Sequence, residues 1–284
     1  MSTPTDYRTI TYEVIDGCIA RIAMNRPDAR NAQNRRMPNE LDAAFTVAAF
    51  DDDVKVIVLA GNGPHFSAGH DLRDNEEYEL RTIGISGGLS KPGAEGHMAY
   101  EEEVYFNMCR RWQQLPKPTI AQVHGKTIAG GLMLMWVCDL IVAAEGAQFL
   151  DITVGMGVNG VEWFAHPWEL GIRKAKEMLF TGDPVTVEEA YNLGVVNHVV
   201  PAAEQGEFTL DLARKIASRP SFPLKLAKMA CNQALDARGF WTAQQSAFTL
   251  QHLGHNHARE LYGVPIDISG MATAARAPAR DNGS

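Results

Sequence analysis

Apolar and polar positions along the chain predict strands first and helices later. Tyr7 to Val14 and Cys18 to Met24 read as two strands. Asp16-Gly17 between them is a dipeptide favoured in hairpin turns. Leu41, Ala44, Phe45, Ala48 and Ala49 recur at helical spacing, and Val54 to Ala60 forms a compact apolar strand. That strand leaves through a glycine-rich segment, Gly61 to Leu72. Residues 73–98, rich in charge and glycine with Ile83 to Gly88 at their centre, read as a long loop or flap. Glu101-Glu102-Glu103 then opens a predicted helix reaching about Leu115, since carboxylates in a first turn suit the macrodipole.

The stretch from Lys117 to Gly157 organises the remainder. A strand-like run, Thr119 to Val123, breaks at His124-Gly125 and passes through Ala129-Gly130-Gly131 into an apolar helix-like run, Leu132 to Val137. A second strand, Asp139 to Ala144, follows. This layout aims backbone N–H groups at a ligand, because glycine permits close approach and the first N–H groups of a helix lack partners. The same pattern also suits an ordinary tight turn before a buried helix. Helix-like segments follow at roughly 160–180 and 186–193, then a short strand from Val195 to Val200. Helices dominate from about Ala202 to Leu261, with Phe240, Ala243, Ala247, Leu250 and Leu253 near one face. The division expected is a core over 1–200, a helical region over 201–265 and a frayed tail over 266–284.

Composition narrows the function classes. The chain has 284 residues, 45% of them hydrophobic and 21% charged, enough to bury a substantial core. A net charge of −8, with no basic stripe interleaved with aromatics, argues against nucleic-acid binding. Neither a signal-peptide pattern nor an apolar run of membrane-spanning length is present, so a cytoplasmic protein off the membrane is expected. Cys18, Cys109, Cys138 and Cys231 are scattered without ligand spacing and read as inert thiols. His252, His255 and His257 lack the i, i+4 pair with an intervening glutamate of a zinc helix. They read as solvated or packed side chains, and no metal is expected.

The two glycine-rich exits, Ser67 to Leu72 and Ala129 to Gly131, each follow an apolar strand about sixty residues apart. With them stand Asn25-Arg26-Pro27, Asn31-Ala32, Lys117 to Ala121 and His124-Gly125. Cys138-Asp139, Ala147-Gln148-Phe149, Leu179 to Gly182, and Ala190 with Leu193 to Val196 continue the series in consistent order over residues 7 to 200. Together they resemble the crotonase, or enoyl-CoA hydratase/isomerase, superfamily. The resemblance implies an α/β fold: a spiral of ββα units with a C-terminal helical region used for trimerisation, as a homotrimer or hexamer. It implies an acyl-CoA thioester as ligand, with no separate cofactor because CoA is part of the substrate. The family's two oxyanion-binding N–H groups fall on His70 and Gly130; the His70 imidazole need play no part. Ala29, Arg30, Ala68, Asp71 and Leu72 fall where the CoA nucleotide and pantetheine bind.

The pattern departs from the family at the acid–base pair. Hydratases of this type carry two glutamates, and those positions fall here on Met133 and Thr153, which would line the pocket without acting as bases. Three replacements stand open. Glu162 has Trp163 and Phe164 beside it to desolvate a carboxylate, although it also suits a first helical turn. Asp151 is offset from the glutamate position and also suits a solvated strand end. His166 suits the start of a packed helix equally well. Isomerisation or another enolate-based lyase step needs fewer carboxylates than hydration, so those reactions are favoured, with divergent hydration open. A non-catalytic acyl-CoA-binding scaffold is the alternative, and an exposed Glu162 remote from Gly130 would favour it. A nucleotide-binding α/β protein fits poorly, since P-loop and GxGxxG signatures are missing.

Overall fold

The computed structural model describes residues 6–74, 76, 87–267 and 269–270. The strands read from the pattern condense into one large sheet in the order β1 (Ile10–Ile15), β2 (Ile19–Met24), β3 (Val56–Gly61), β4 (Thr119–Val123), β6 (Leu140–Ala144) and β9 (His198–Val200). Only β1 and β2 run antiparallel, joined as expected through Asp16 and Gly17, whose φ values of 52° and 69° suit a tight hairpin. A second sheet holds three short strands, β5 (Lys126–Ile128), β7 (Gln148–Leu150) and β8 (Val185–Thr186). After β4 the chain enters β5 and then helix α4 (Gly130–Trp136). After β6 it enters β7 and then α5 (His166–Glu169) and α6 (Ile172–Thr181), so the strand–strand–helix unit recurs.

Both faces of the large sheet are covered. On β3, Ile57 and Leu59 face the main core with α1 (Arg36–Phe50) and α4, while Val56 and Val58 face a second cluster with Ala213 and Ala217 of α8 (Gln205–Ala217). Strands covered on both faces read as continuous apolar runs, which is why β3 is buried at every position. The predicted division at residue 200 therefore cuts through the core, because α8 completes one of its layers. Helices α7 (Val187–Asn192), α9 (Ser221–Ala237) and α10 (Phe240–Tyr262) account for the rest.

Two predicted segments differ. The helix expected to open at Glu101 begins at Gly93, with α2 (Gly93–Glu101), a π-helical segment (Glu102–Asn107) and α3 (Met108–Gln113) following without a break. Glu101 and Glu103 thus lie inside a helical run and are buried, so the first-turn argument fails for them. Within the predicted flap, residues 75 and 77–86 lie outside the described residues, as do 268 and 271–284 of the tail. The helix expected over 160–180 starts only at His166, leaving Glu162 in irregular backbone. No helix of the described residues is long and apolar enough to cross a membrane.

The two glycine-rich exits interlock. Ser67 and Thr127 form a parallel bridge, and Ile128 N–H donates to Ser67 O at 3.0 Å. A Cβ on Gly131 would stand 2.7 Å from Ser67 O, and one on Gly69 2.7 Å from Ile128 O. Both contacts are with backbone, which cannot swing aside. Gly131→Ala should therefore cost about 1–3 kcal/mol of stability, read as a lower urea midpoint with an unchanged slope. Gly206→Ala, in open space on α8, should instead gain up to about 1 kcal/mol.

Candidate active site

Two backbone N–H groups are left unclaimed where the exits meet. Ala129 N–H donates to Leu150 O at 2.8 Å, and Ala129 itself holds φ 46° and ψ −114° before α4 begins at Gly130. A non-glycine residue in that region stores strain of about 1–3 kcal/mol, which the surrounding pairing holds in place. On the other exit, Gly69 O accepts from Gln33 N–H at 2.7 Å and Asp71 N–H donates to Gln33 O at 3.0 Å. In a parallel bridge these bonds flank residue 70, so the His70 N–H points away from Gln33. Among the described residues neither the His70 nor the Gly130 N–H has an acceptor. Such preset donors suit an oxygen that gains negative charge.

Beside these donors sits an acid–imidazole pair of a buried carboxylate and a half-buried ring. His70 Nε2 lies 3.0 and 3.1 Å from the two oxygens of Glu162, which is 2% exposed. The imidazole stacks on Tyr105 with centroids 4.2 Å apart, and its other face lies against Gly130, where a Cβ would stand 2.7 Å from the ring. Nδ1 is buried without a hydrogen-bond partner. Burial by itself lowers the imidazole pKa, but the charge and hydrogen bond of Glu162 outweigh it, and the net shift is upward. The His70 imidazole, which need play no part in an oxyanion role, thus pairs with Glu162 beside the donors. Nor is Glu162 a solvated helix-end residue. Trp163 beside it is fully buried, packed near Phe106 and Phe240.

Asp151 and His166 form a separate pair. His166 Nε2 stands 2.7 Å from Asp151 Oδ2, and both side chains are fully buried. The Thr153 N–H and hydroxyl donate to Asp151 Oδ1 at 2.9 and 2.6 Å. The solvated strand end left open for Asp151 is therefore replaced by a buried network that engages both its oxygens and leaves His166 Nδ1 without a partner; removing one partner would leave an uncompensated charge. Met133 is fully buried on α4 within the main core. Ala68 N–H donates to Arg30 O at 2.9 Å, bringing the 29–30 and 68–72 segments together. Leu72 is exposed, whereas the Asp71 carboxylate is already paired with Arg26 at 2.9 Å. The sequence order did not reveal the pairing of His70 with Glu162, because they are 92 residues apart.

Comparison with known proteins supplies the frame. The family model described as enoyl-CoA hydratase/isomerase matches residues 15–264. EchA13 of Mycobacterium tuberculosis (strain ATCC 25618 / H37Rv), which carries an enoyl-CoA hydratase name, is 44% identical over 92% of this chain and 85% of its own. The 4-chlorobenzoyl coenzyme A dehalogenase-2 of Arthrobacter sp is 30% identical over 92% of this chain and 91% of its own. A crystal structure from Mycobacterium smegmatis, described as a probable enoyl-CoA hydratase, superposes with a TM-score of 0.83 at 47% identity. It covers 90% of this chain and 98% of that one.

The His70 pair gives a direct titration. In the wild type His70 should titrate above the ordinary imidazole value of about 6.5, and Glu162→Gln should bring it down, followed by NMR of the ring protons. Its contribution to stability is full below about pH 6.5 and is lost as pH rises through the raised value. An unchanged titration in the variant would mean that Glu162 does not charge-stabilise the ring.

Proposed function

The chain belongs to the enoyl-CoA hydratase/isomerase family, and from that premise we propose that it moves a proton at carbon on an acyl-CoA or enoyl-CoA thioester. The single observation that carries the reading is the His70 ring, fixed at Nε2 by Glu162, unpartnered at Nδ1 and seated against Gly130. The thioester oxygen sits between the His70 and Gly130 N–H groups. His70 Nδ1 takes a proton from the carbon beside the carbonyl, and the C–H electron pair moves onto that oxygen. Glu162, held by both oxygens to Nε2, fixes the tautomer and stabilises the imidazolium. The imidazolium returns the proton to the same carbon or to the far carbon of the conjugated system, which is a double-bond shift. One proton carrier suffices for that sequence, whereas hydration also needs a group to activate water, and Met133 and Thr153 offer none.

CoA lies along Ala29-Arg30 and Ala68 to Leu72, with Leu72 as an exposed apolar contact. The burial of Glu162 against His70, whose ring lies next to Gly130, counts against the scaffold alternative. Exposed Phe222, Leu226 and Met229 on α9, with Leu250, Leu253 and Leu261 on α10, suit burial between copies in a homotrimer or hexamer. Sedimentation should then give the mass of three or six chains, and Phe222→Asp with Leu253→Asp should lower it. A monomer in the wild type would remove this part of the reading.

Deuterium uptake from D₂O into a panel of acyl-, 2-enoyl- and 3-enoyl-CoAs, followed by mass spectrometry, tests the chemistry. His70→Phe keeps the backbone donor and should reduce uptake by about 10²–10⁴. Glu162→Gln should reduce it less and shift the acidic limb of the rate profile to lower pH. Uptake undiminished in His70→Phe would move the base elsewhere, and gain of the mass of water by a 2-enoyl-CoA would reinstate hydration.

A further inference from the structure

Four side chains from two helices converge beside the His70–Glu162 pair without belonging to it. His97 and Glu101 stand one turn apart on α2, and His252 and His255 stand one turn apart on α10, so each pair occupies one helix face. The faces are turned toward each other. His97 Nε2 lies 2.9 Å from Glu101 Oε1, while His252 Nε2 and His255 Nε2 lie 3.2 and 3.5 Å from Glu101 Oε2. Glu101, His252 and His255 are each at least nine-tenths buried. One ligand-capable atom from each of His97, Glu101 and His252 lies within 4.8 Å of the others.

Proximity alone leaves these groups unsatisfied. Glu101 Oε2, His252 Nε2 and His255 Nε2 are all buried without a properly directed hydrogen bond among the described residues. The tautomer of His255 is set from behind. Its Nδ1 lies 2.6 Å from Pro265 O, an acceptor only, so Nδ1 carries the proton. In the neutral ring Nε2 then holds a lone pair that faces a carboxylate oxygen. Two acceptors 3.5 Å apart in a buried site repel unless an electrophile stands between them. Anchoring the far ring nitrogen on a carbonyl is also how metal-binding histidines are oriented.

We propose that His97, Glu101 and His252, with His255 beside the same carboxylate, form a binding site for a divalent transition metal of the zinc class, which clamps α2 to α10. The donor set selects the ion: imidazole nitrogens with one carboxylate suit Zn²⁺ or Co²⁺, whereas Mg²⁺ and Ca²⁺ take oxygen donors. Tetrahedral ligands at zinc distances of about 2.0–2.1 Å stand about 3.3 Å apart, and the carboxylate here lies at comparable range from each ring: Oε1 is 2.9 Å from His97 Nε2, and Oε2 is 3.2 and 3.5 Å from His252 and His255 Nε2. Three ligands, His97, Glu101 and His252, come within reach of one ion, with His255 against the same carboxylate. His257, exposed on the same helix, is excluded from it. Residue-local spacing led to the expectation that these histidines bind no metal. The fold supplies the carboxylate and the third ring from α2.

Protein stripped with a chelator and titrated with Co²⁺ tests the site. Visible ligand-field bands of tetrahedral strength should saturate at one ion per chain, be displaced by Zn²⁺, and be untouched by Mg²⁺. Zn²⁺ should also raise the melting temperature. His252→Gln and His97→Gln should each weaken binding by more than the roughly 10–100-fold that loss of an outer-shell partner costs, while His257→Gln keeps it. His97 lies at the partly exposed edge, so its variant remains informative if His252→Gln fails to fold. No tetrahedral bands and no thermal shift in the wild type would overturn the proposal. So would binding that survives both ligand variants, which would place the ion elsewhere.

Discussion

The close approach of two backbone segments, allowed only where side chains are absent, is the constraint on which the rest depends. Gly69 meets Ile128 O and Gly131 meets Ser67 O at distances that exclude even a methyl group. That contact brings the ends of β3 and β4 to one place and fixes Ser67 opposite Thr127. The strained turn at Ala129 follows from it, because the chain must satisfy Leu150 O and begin α4 within one residue. The two unclaimed N–H groups are the residue of this geometry. A larger residue at either glycine would separate the segments and the donors together, so stability and the candidate chemistry rest on the same atoms.

Much of this was legible in the order of residues. Apolar runs marked β3, β4 and β6 because strands covered on both faces leave little room for polar positions. The glycine exits stood out for the opposite reason, as breaks in those runs. The three-residue strands β5 and β7 were missed, since a run that short carries no periodicity. The early start of α2 was hidden in a glycine- and charge-rich segment whose pattern resembles a loop. The triple glutamate misled in a different way. It looked like a helix start, yet Glu101 and Glu103 lie inside the helical run, where Glu101 meets His97 one turn back and His252 of α10, and Glu103 pairs with Arg111 of the same run.

Paired ionisable groups are the feature that one-dimensional reading could not reach. His70 with Glu162 and the α2 histidine and glutamate with those of α10 join positions about 90 to 150 residues apart. Asp151 with His166 is closer in sequence but spans an irregular segment of no recognisable period. Each residue taken alone has a bland explanation, and only the fold decides between them. A buried carboxylate is costly without a partner, so a partner is the expectation that burial creates. What burial cannot specify is the identity of the partner. An imidazole in that role leaves a second nitrogen free, and the destination of that nitrogen distinguishes the pairs. At His70 it lies beside Gly130, while at His255 it is tied to a carbonyl.

The position of the acid–base group follows from the same reasoning. Met133 on α4 is enclosed by the main core, where a carboxylate would lose its hydration. Thr153 spends its hydroxyl and N–H on Asp151, whose other oxygen is held by His166, so both carboxylate oxygens are engaged. Glu162 instead comes from irregular backbone with freedom to reach across the site, and it meets a ring carried by the exit loop itself. In the proposed reaction, the residue that supplies an oxyanion donor through its backbone thereby also carries the proton acceptor on its side chain. Because both functions are fixed to one Cα, the donor and the base cannot drift relative to each other when a substrate enters. A glutamate pair on two separate elements has no such coupling, and its spacing must be maintained by packing alone.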